Sequence, residues 1–599
     1  MSDEHHVESS GNHGEGKGAA RECGPNPPIL AVGIPTLTEL LEYAKTSSRP
    51  ARKPSLVAIP GTLPRDDTIL QWMGGRSLDN ISSRTGKVRS GLPPHRWIKV
   101  DDPNGVSVVA AHETVIAGGG PAGLTAGYEL TKHGHSCVVL ESDPKMVGGI
   151  SRTDQYKGYR FDIGGHRFFS KSAEVNQLWR EILGDEFITR TRLSRIYYNR
   201  KFFHYPLKPL DALLKLGPVQ SVKILASYFK ARLRPIKPEQ TLEAWVVNRF
   251  GRLLFEIFFK TYTEKVWGMP TNEISADWAA QRIKGLSLIK AVTNALFGAR
   301  ASDGEVIKTL IDSFHYPRLG PGQMWECARD RIREGGGAVH LDRRVVRIDH
   351  DGSAVTAFVT QDAAGRTTVY NGRNFISTLP IRELIRCMNP QPPQEVIDAA
   401  ESLRYRDFLS VVLIVDRAET FPDTWIYIHE PNVKVGRIQN FKNWSPDLVP
   451  DHSKSSLGLE YFCFEGDELW TTPDDQLIEL GRREIDAMGL VSAKEVIDGC
   501  VVRMPKAYPV YDDVYQQHLA VIRGWLKNLP NLELSGRNGM HKYNNQDHSM
   551  MTAVLAARNI LGVGEFDTWK VNTDAEYHEE GSESDETTGR QVPRKAVSA

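Results

Sequence analysis

Residues 113–152 constrain the fold more than any other stretch of this chain. A β-branched run, Thr114–Ala117, leads into Gly118-x-Gly120-x-x-Gly123. A helix-like segment follows, and a second apolar run, Cys137–Leu140, ends in Glu141. Glycines so placed let the chain turn tightly and bring backbone against a pyrophosphate. A helix starting near Pro121 would aim its free N–H groups and positive dipole end at the same phosphates. Glu141 falls about 20 residues further on, where a carboxylate can accept ribose hydroxyls. A glycine-rich turn between unrelated elements would not account for that acid. The register therefore predicts a dinucleotide site built on Gly118, Gly120, Gly123 and Glu141.

A second glycine pair follows in Val147-Gly148-Gly149-Ile150-Ser151-Arg152. Gly149 lets more backbone approach the phosphates, and the Arg152 guanidinium can pair with one of them. This arrangement resembles the FAD-binding start of the flavoprotein group that includes amine oxidases, protoporphyrinogen oxidases, phytoene desaturases and UDP-galactopyranose mutases. The resemblance implies non-covalent FAD, in preference to NAD, with its pyrophosphate on the first helix.

The 599 residues suffice for two or three domains. Lys+Arg and Asp+Glu both number 74, so nothing in the charge calls for a nucleic acid partner. Six scattered cysteines include no CxxC pair and suggest buried or incidental thiols in a reducing cytosol. The polar N-terminus has no apolar signal core, and no apolar run is long enough for a transmembrane helix, so a cytoplasmic protein is expected. His5, His6 and His13 read as incidental residues of a disordered tail, and no metal site is expected.

The expected class is α/β, with a discontinuous Rossmann-like FAD-binding domain, a mainly helical insertion and a second mixed or antiparallel sheet. Residues 1–112 form an extension, partly disordered over 1–28, with one helical candidate at Thr36–Lys45. The FAD domain takes 113–170, 318–385 and 501–562. A helical substrate or cap domain takes 171–317, a substrate-domain sheet 386–500, and a polar tail 563–599. Apolar residues at three- and four-residue spacing predict helices in Ala212–Leu225 and Leu242–Phe259. Residues 338–350, 375–379, 408–416, 424–429 and 457–464 read as strands, and 533–561 as strand, loop and helix. The basic amphipathic stretch from Lys201 to Arg234 suits a membrane surface. A cover over the substrate cleft or a homo-oligomer contact is the preferred expectation for it.

Several segments narrow the resemblance to UDP-galactopyranose mutases, over about residues 113–562. They are Gly158-Tyr-Arg-Phe-Asp-Ile-Gly-Gly-His166, Tyr262-Thr-Glu-Lys-Val-Trp267 with Ala276–Arg282, and Phe314–Gly322. Further along come Trp425-Ile-Tyr427, Gly436-Arg437 through Trp444, Ala507-Tyr508-Pro, and Gly536-Arg537 through Tyr543 with Asn545-Gln-Asp547-His-Ser549. The resemblance implies that His166 lies beside the flavin and that Arg282 and Arg437 clamp a sugar diphosphate. It implies substrate contacts from Tyr427, Trp444, Tyr508, Tyr543 and Asn545, and cofactor contacts from Gly536, Arg537 and Asp547.

Two arginines from separate segments suit a diphosphate, and tyrosines can donate to its oxygens without adding charge. The implied activity is interconversion of pyranose and furanose nucleotide-sugars by reduced FAD acting as a nucleophile at the anomeric carbon, with NAD(P)H as a candidate reductant. Trp444 stands where that family usually has Tyr, and Tyr543 lies two residues closer to Asn545 than in the eukaryotic enzymes. Both departures bear on the substrate and leave flavin binding intact. The alternatives are an FAD-dependent oxidoreductase of the amine oxidase or protoporphyrinogen oxidase type, and a flavin-binding scaffold whose extension recruits partners.

Overall fold

The computed structural model describes residues 100–101, 106–205, 207–274, 276, 313–512 and 514–572. The chain divides into two units, 1–94 and 95–599, and every described residue lies in the second. The expectations for His5, His6, His13, Thr36–Lys45, Arg282 and the tail beyond residue 572 lie outside the described residues.

One sheet carries the glycine turn. Its core is five parallel strands in the spatial order Ala338–His340, Cys137–Leu140, Val106–Ala117, Thr367–Ser377 and Leu532–Leu534. Strands from four distant stretches thus make one dinucleotide-type sheet. The first strand is longer than the sequence predicts, because Val106–Val109 pairs with Thr367–Tyr370 before the buried Thr114–Ala117 segment begins. An antiparallel arm, Arg344–His350 with Val355–Gln361, extends the sheet beyond Thr367–Asn371.

Side chains alternate across this sheet with the two-residue period of a strand. Ile116, Val139 and Ile376 face a core shared with helices Pro121–Lys132, Ala173–Leu183, Pro321–Glu334 and Gln546–Leu561. Val115, Val138 and Phe375 face the other way, onto Ile381–Arg386, Gln394–Ser402 and Tyr515–Leu526.

The second sheet has seven strands in the order Val496–Pro509, Tyr405–Val415, Ser455–Cys463, Arg437–Asn440, Trp425–Ile428, Ser194–Tyr198 and Lys201–His204. All pairings are antiparallel except that of Trp425–Ile428 with Ser194–Tyr198. Tyr405–Val415 and Ser455–Cys463 are buried along their whole length, so side chains on both faces are covered, including the polar Arg406, Asp407 and Glu460. Two strands of this sheet come from the stretch expected to be helical, and its edge strand runs past residue 500 to Pro509.

Helices Leu242–Phe250 and Thr261–Trp267 pack on the face carrying Val412 and Ile414, while Asp474–Ala487 covers the opposite face. The helical periodicity over Ala212–Leu225 resolves into two helices, Pro209–Leu216 and Pro218–Leu233. They are split at Gly217, whose φ of 90° a helix cannot use, and the following Pro218 starts the second helix. Among the described residues no helix is long and apolar enough to cross a membrane.

Candidate active site

The glycine turn is made of backbone. Gly118 adopts φ 99°, a conformation L side chains rarely take, and a Cβ there would lie 2.1 Å from Thr378 Oγ1. A Cβ on Gly123 would lie 1.9 Å from the Gly118 carbonyl oxygen, so the helix can sit on the strand only without one. Helix Pro121–Lys132 begins at Gly120 with no side chain capping its first amides. Such an uncapped N-terminus leaves donors for an anion. Gly149 and Gly536 flank the turn: an ideal Cβ on Gly120 lies 3.9 Å from Gly149 Cα, and one on Gly536 lies 3.1 Å from Ala122 Cβ. Glu141, 8% exposed, ends the neighbouring strand. Its Oε2 accepts from the Gly119 amide at 2.7 Å and its Oε1 from the Asp143 amide at 2.8 Å.

The second constellation is made of side chains. Arg437 and Glu460 stand directly opposite each other on adjacent antiparallel strands. Arg437 Nε lies 2.5 Å from Glu460 Oε2, and Glu460 is fully buried. Burial works against charge on Arg437, but the Glu460 carboxylate outweighs it and holds the guanidinium well above its usual range. Arg437 Nη2 donates to the Tyr508 hydroxyl at 2.9 Å, and the guanidinium sits 4.7 Å from the Phe462 ring and 5.0 Å from Trp425.

Tyr508 stacks on Tyr543 with centroids 5.6 Å apart, and Trp267 meets both rings. Arg537 lies over the same pair, 5.0 Å from Tyr543 and 5.4 Å from Tyr508. Tyr427 stacks on Trp425 and Tyr205. Trp267 is held in place from behind: Arg406, 5% exposed, donates to the carbonyls of Lys265, Val266 and Phe462 and so caps the end of helix Thr261–Trp267.

His166 borders this cluster. Its Nδ1 is 3.0 Å from the Gly164 carbonyl, which can only accept, so Nδ1 carries a proton. Burial, aided by Arg537, pushes the imidazole pKa down to about 3. At neutral pH the ring is therefore uncharged and its Nε2 is an acceptor. The loop is pinned by contact: a Cβ on Gly165 would lie 1.9 Å from the Trp425 ring.

With this geometry in hand, comparison with known proteins is decisive at the level of family. Residues 121–561 match the model for flavin containing amine oxidoreductases. The chain belongs to that family. An uncharacterized protein in the nifH2 3' region of Methanothermococcus thermolithotrophicus is 34% identical over 93 residues, 14% of this chain and 88% of its own length. The L-amino acid oxidase bordonein-L of Crotalus durissus terrificus is 23% identical over 352 residues, spanning 52% of this chain and 60% of that one. Among solved structures, reduced UDP-galactopyranose mutase superposes with a TM-score of 0.66 at 22% identity, covering 77% of this chain and 98% of its own. That likeness is one of fold.

The donor set of this family member fits a flavin dinucleotide. An uncapped helix start, glycine contacts that admit no side chain and a carboxylate at the end of the second strand match a pyrophosphate and its ribose. Gly118, Gly120, Gly123, Glu141, Gly149 and Gly536 all surround this turn.

Four other residues singled out from the sequence sit differently. Arg152 lies between Asp143, at 3.2 Å, and Asp154, at 3.7 Å, and these carboxylates answer its charge. Arg537 turns away from the glycine turn to the tyrosine pair and donates to the carbonyls of Asn544 and Ala507. Asp547 is buried in the first turn of helix Gln546–Leu561 and accepts from Ser170 Oγ at 3.0 Å, tying down the end of the His166 loop. Trp444 is fully buried, packs on Phe314 and Tyr316, and gives its indole N–H to the Thr424 carbonyl, so it serves the core.

Asn545 caps the helix Gln546–Leu561 two residues beyond Tyr543, its amide donating to His548 Nδ1 at 3.3 Å. Glu460 and Arg406 were missed. Glu460 had a signal in the sequence, as the one charged residue of its strand, whereas Arg406 stands beside Asp407 at the start of its own.

Proposed function

We propose that this flavoenzyme isomerises a nucleotide-sugar between pyranose and furanose forms. The observation that supports this reading is the joining of two arginines and two tyrosines, Arg437, Arg537, Tyr508 and Tyr543, one residue away from Gly536 at the cofactor turn. Reduced flavin, replenished by an external donor such as NAD(P)H, would supply the nucleophile for the anomeric carbon. The protein's part is placement. Arg437 and Arg537 offer planar donors to a diphosphate, and Glu460 offsets one of the two charges, leaving the cluster net cationic. Tyr508 and Tyr543 can direct hydroxyls at phosphate oxygens. Neutral His166 brings no competing positive charge, and the surrounding rings exclude water.

The test is titration of UDP into dithionite-reduced holoprotein, with UDP-galactofuranose then supplied as substrate. We expect UDP to perturb the flavin spectrum and a pyranose product to form. Arg437→Lys, which keeps a charge beside Glu460 but loses the planar fork, should weaken UDP binding by about 1.5–3 kcal/mol. A spectrum blind to UDP together with no pyranose overturns the proposal. The second reading is an FAD-dependent oxidoreductase. It is favoured by the likeness to an L-amino acid oxidase and by the neutralisation of Arg437 by Glu460. An oxidase would be indifferent to UDP and would bleach its flavin with an amine or amino acid under anaerobic conditions.

A further inference from the structure

The helical hairpin Pro209–Leu216 and Pro218–Leu233 carries a surface that the proposed reaction does not use. The longer helix buries Ile224, Tyr228 and Ala231 against the protein. Its opposite side is apolar as well. Val219, Val222, Phe229 and Leu233 are 69, 66, 58 and 83% exposed. With exposed Ala226 they follow one another at steps of three and four residues, so they form a continuous line along the outer side. Leu214 on the preceding helix is 72% exposed. A water-facing helix normally carries polar residues there, and an apolar line of this length marks a contact surface.

The charges around the line have one sign. Residues 208–238 hold seven lysines and arginines, among them Lys223, Lys230, Arg232 and Arg234, against the single acid Asp211, in a chain with 74 charges of each sign. Asp211 is already paired with Lys215 at 2.7 Å. A second copy of the same face would set these cations against their equals. An anionic sheet of headgroups over an acyl layer complements both features, the cations and the apolar line.

We propose that the outer side of helix Pro218–Leu233 seats on a lipid surface bearing anionic headgroups, with Phe229 and Leu233 entering the acyl boundary. The helix has 16 residues, about 24 Å at the usual rise, and would lie in the plane of the surface. The proposal stands apart from the reaction: a flavin oxidase or an isomerase could both dock this way.

Flotation of the full-length holoprotein with vesicles tests it. Vesicles of phosphatidylcholine alone should carry little protein. Vesicles doped with phosphatidylglycerol should carry roughly tenfold more at low salt and lose it as salt rises. The Phe229→Ser/Leu233→Ser double variant should abolish flotation while leaving flavin absorbance and the unfolding midpoint unchanged, since both side chains are exposed. Lys223→Glu/Lys230→Glu should remove the dependence on anionic lipid. The idea is overturned if the wild type ignores anionic vesicles or binds neutral ones equally well, or if the serine variant floats unchanged. It is equally overturned if the wild type is a dimer that the serine variant splits and neither form binds lipid.

Discussion

The glycine turn and the arginine–tyrosine cluster are neighbours built on opposite plans. The turn uses main-chain amides, a few missing side chains and one carboxylate, nearly all from residues 113–152. The cluster uses rings and charges contributed by Arg437, Glu460, Tyr508, Tyr543, Trp267 and Trp425, which come from five strands or helices and one loop. A backbone site tolerates almost any residue that leaves room and fails when room is taken. A side-chain site fails when a charge loses its partner. The comparison therefore predicts different kinds of damage in the two places.

The largest effect is expected in the cluster. Glu460→Gln leaves the Arg437 guanidinium without its carboxylate in a buried setting, a change that destabilises by about 3–5 kcal/mol. Replacing both Arg437 and Glu460 by methionine should recover most of that stability in chemical denaturation while removing UDP binding. If the single variant unfolds like wild type, the Arg437–Glu460 pair adds nothing to stability.

Gly123→Ala strikes the other region. Its Cβ meets the Gly118 carbonyl oxygen at 1.9 Å, so helix and strand must part, at about 1–3 kcal/mol. The decisive measurement is the flavin-to-protein absorbance ratio, which should collapse in this variant and stay intact in the double methionine variant. Retention of flavin by Gly123→Ala would show that the turn has slack.

A smaller effect follows from His166. Its folded-state pKa of about 3 lies below the usual 6.5, so the unfolded chain takes up the proton first. Stability is whole above about pH 6.5 and falls as pH drops towards 3, by at most about 1.4 kcal/mol per pH unit for one imidazole. His166→Gln should flatten the acid limb of the unfolding midpoint by that share, a part distinct from buried His429, whose pKa is likewise pushed down to about 3. The smallest effect is expected at Arg152. Arg152→Met breaks ion pairs with Asp143 and Asp154 that are partly solvent-exposed, worth about 0–1 kcal/mol, and flavin should be retained. Loss of flavin there would mean that the guanidinium swings onto a phosphate when the cofactor binds.

The same contrast governs what can be read from residues alone. Gly118, Gly123 and Glu141 are legible because the turn is local and its geometry admits few residue types. Arg437, Tyr508 and Tyr543 were placed through resemblance to a family, and nothing in their spacing shows that the rings stack or that Glu460 answers the arginine. The motif around Trp444 does not show that its side chain is buried behind Trp425, with its indole N–H given to the Thr424 carbonyl. Nor does spacing show that two consecutive residues, Gly536 and Arg537, face different ends of the site. The helical periodicity of 171–317 concealed Ser194–Tyr198 and Lys201–His204, a short hairpin that joins the second sheet only through the pairing of Ser194–Tyr198 with the distant Trp425–Ile428.

That junction at Gly536 has a mechanical reading. The peptide leaning on the start of the nucleotide helix leads at once to the cation lying over the tyrosine sandwich, so a shift of the loop at one end is a lever at the other. Uptake of the yellow prosthetic group should therefore be felt by the phenol rings before any substrate arrives, as an altered tyrosine signal on reconstitution, and a poorly seated cofactor should spoil affinity for the second ligand without touching a single residue that holds it.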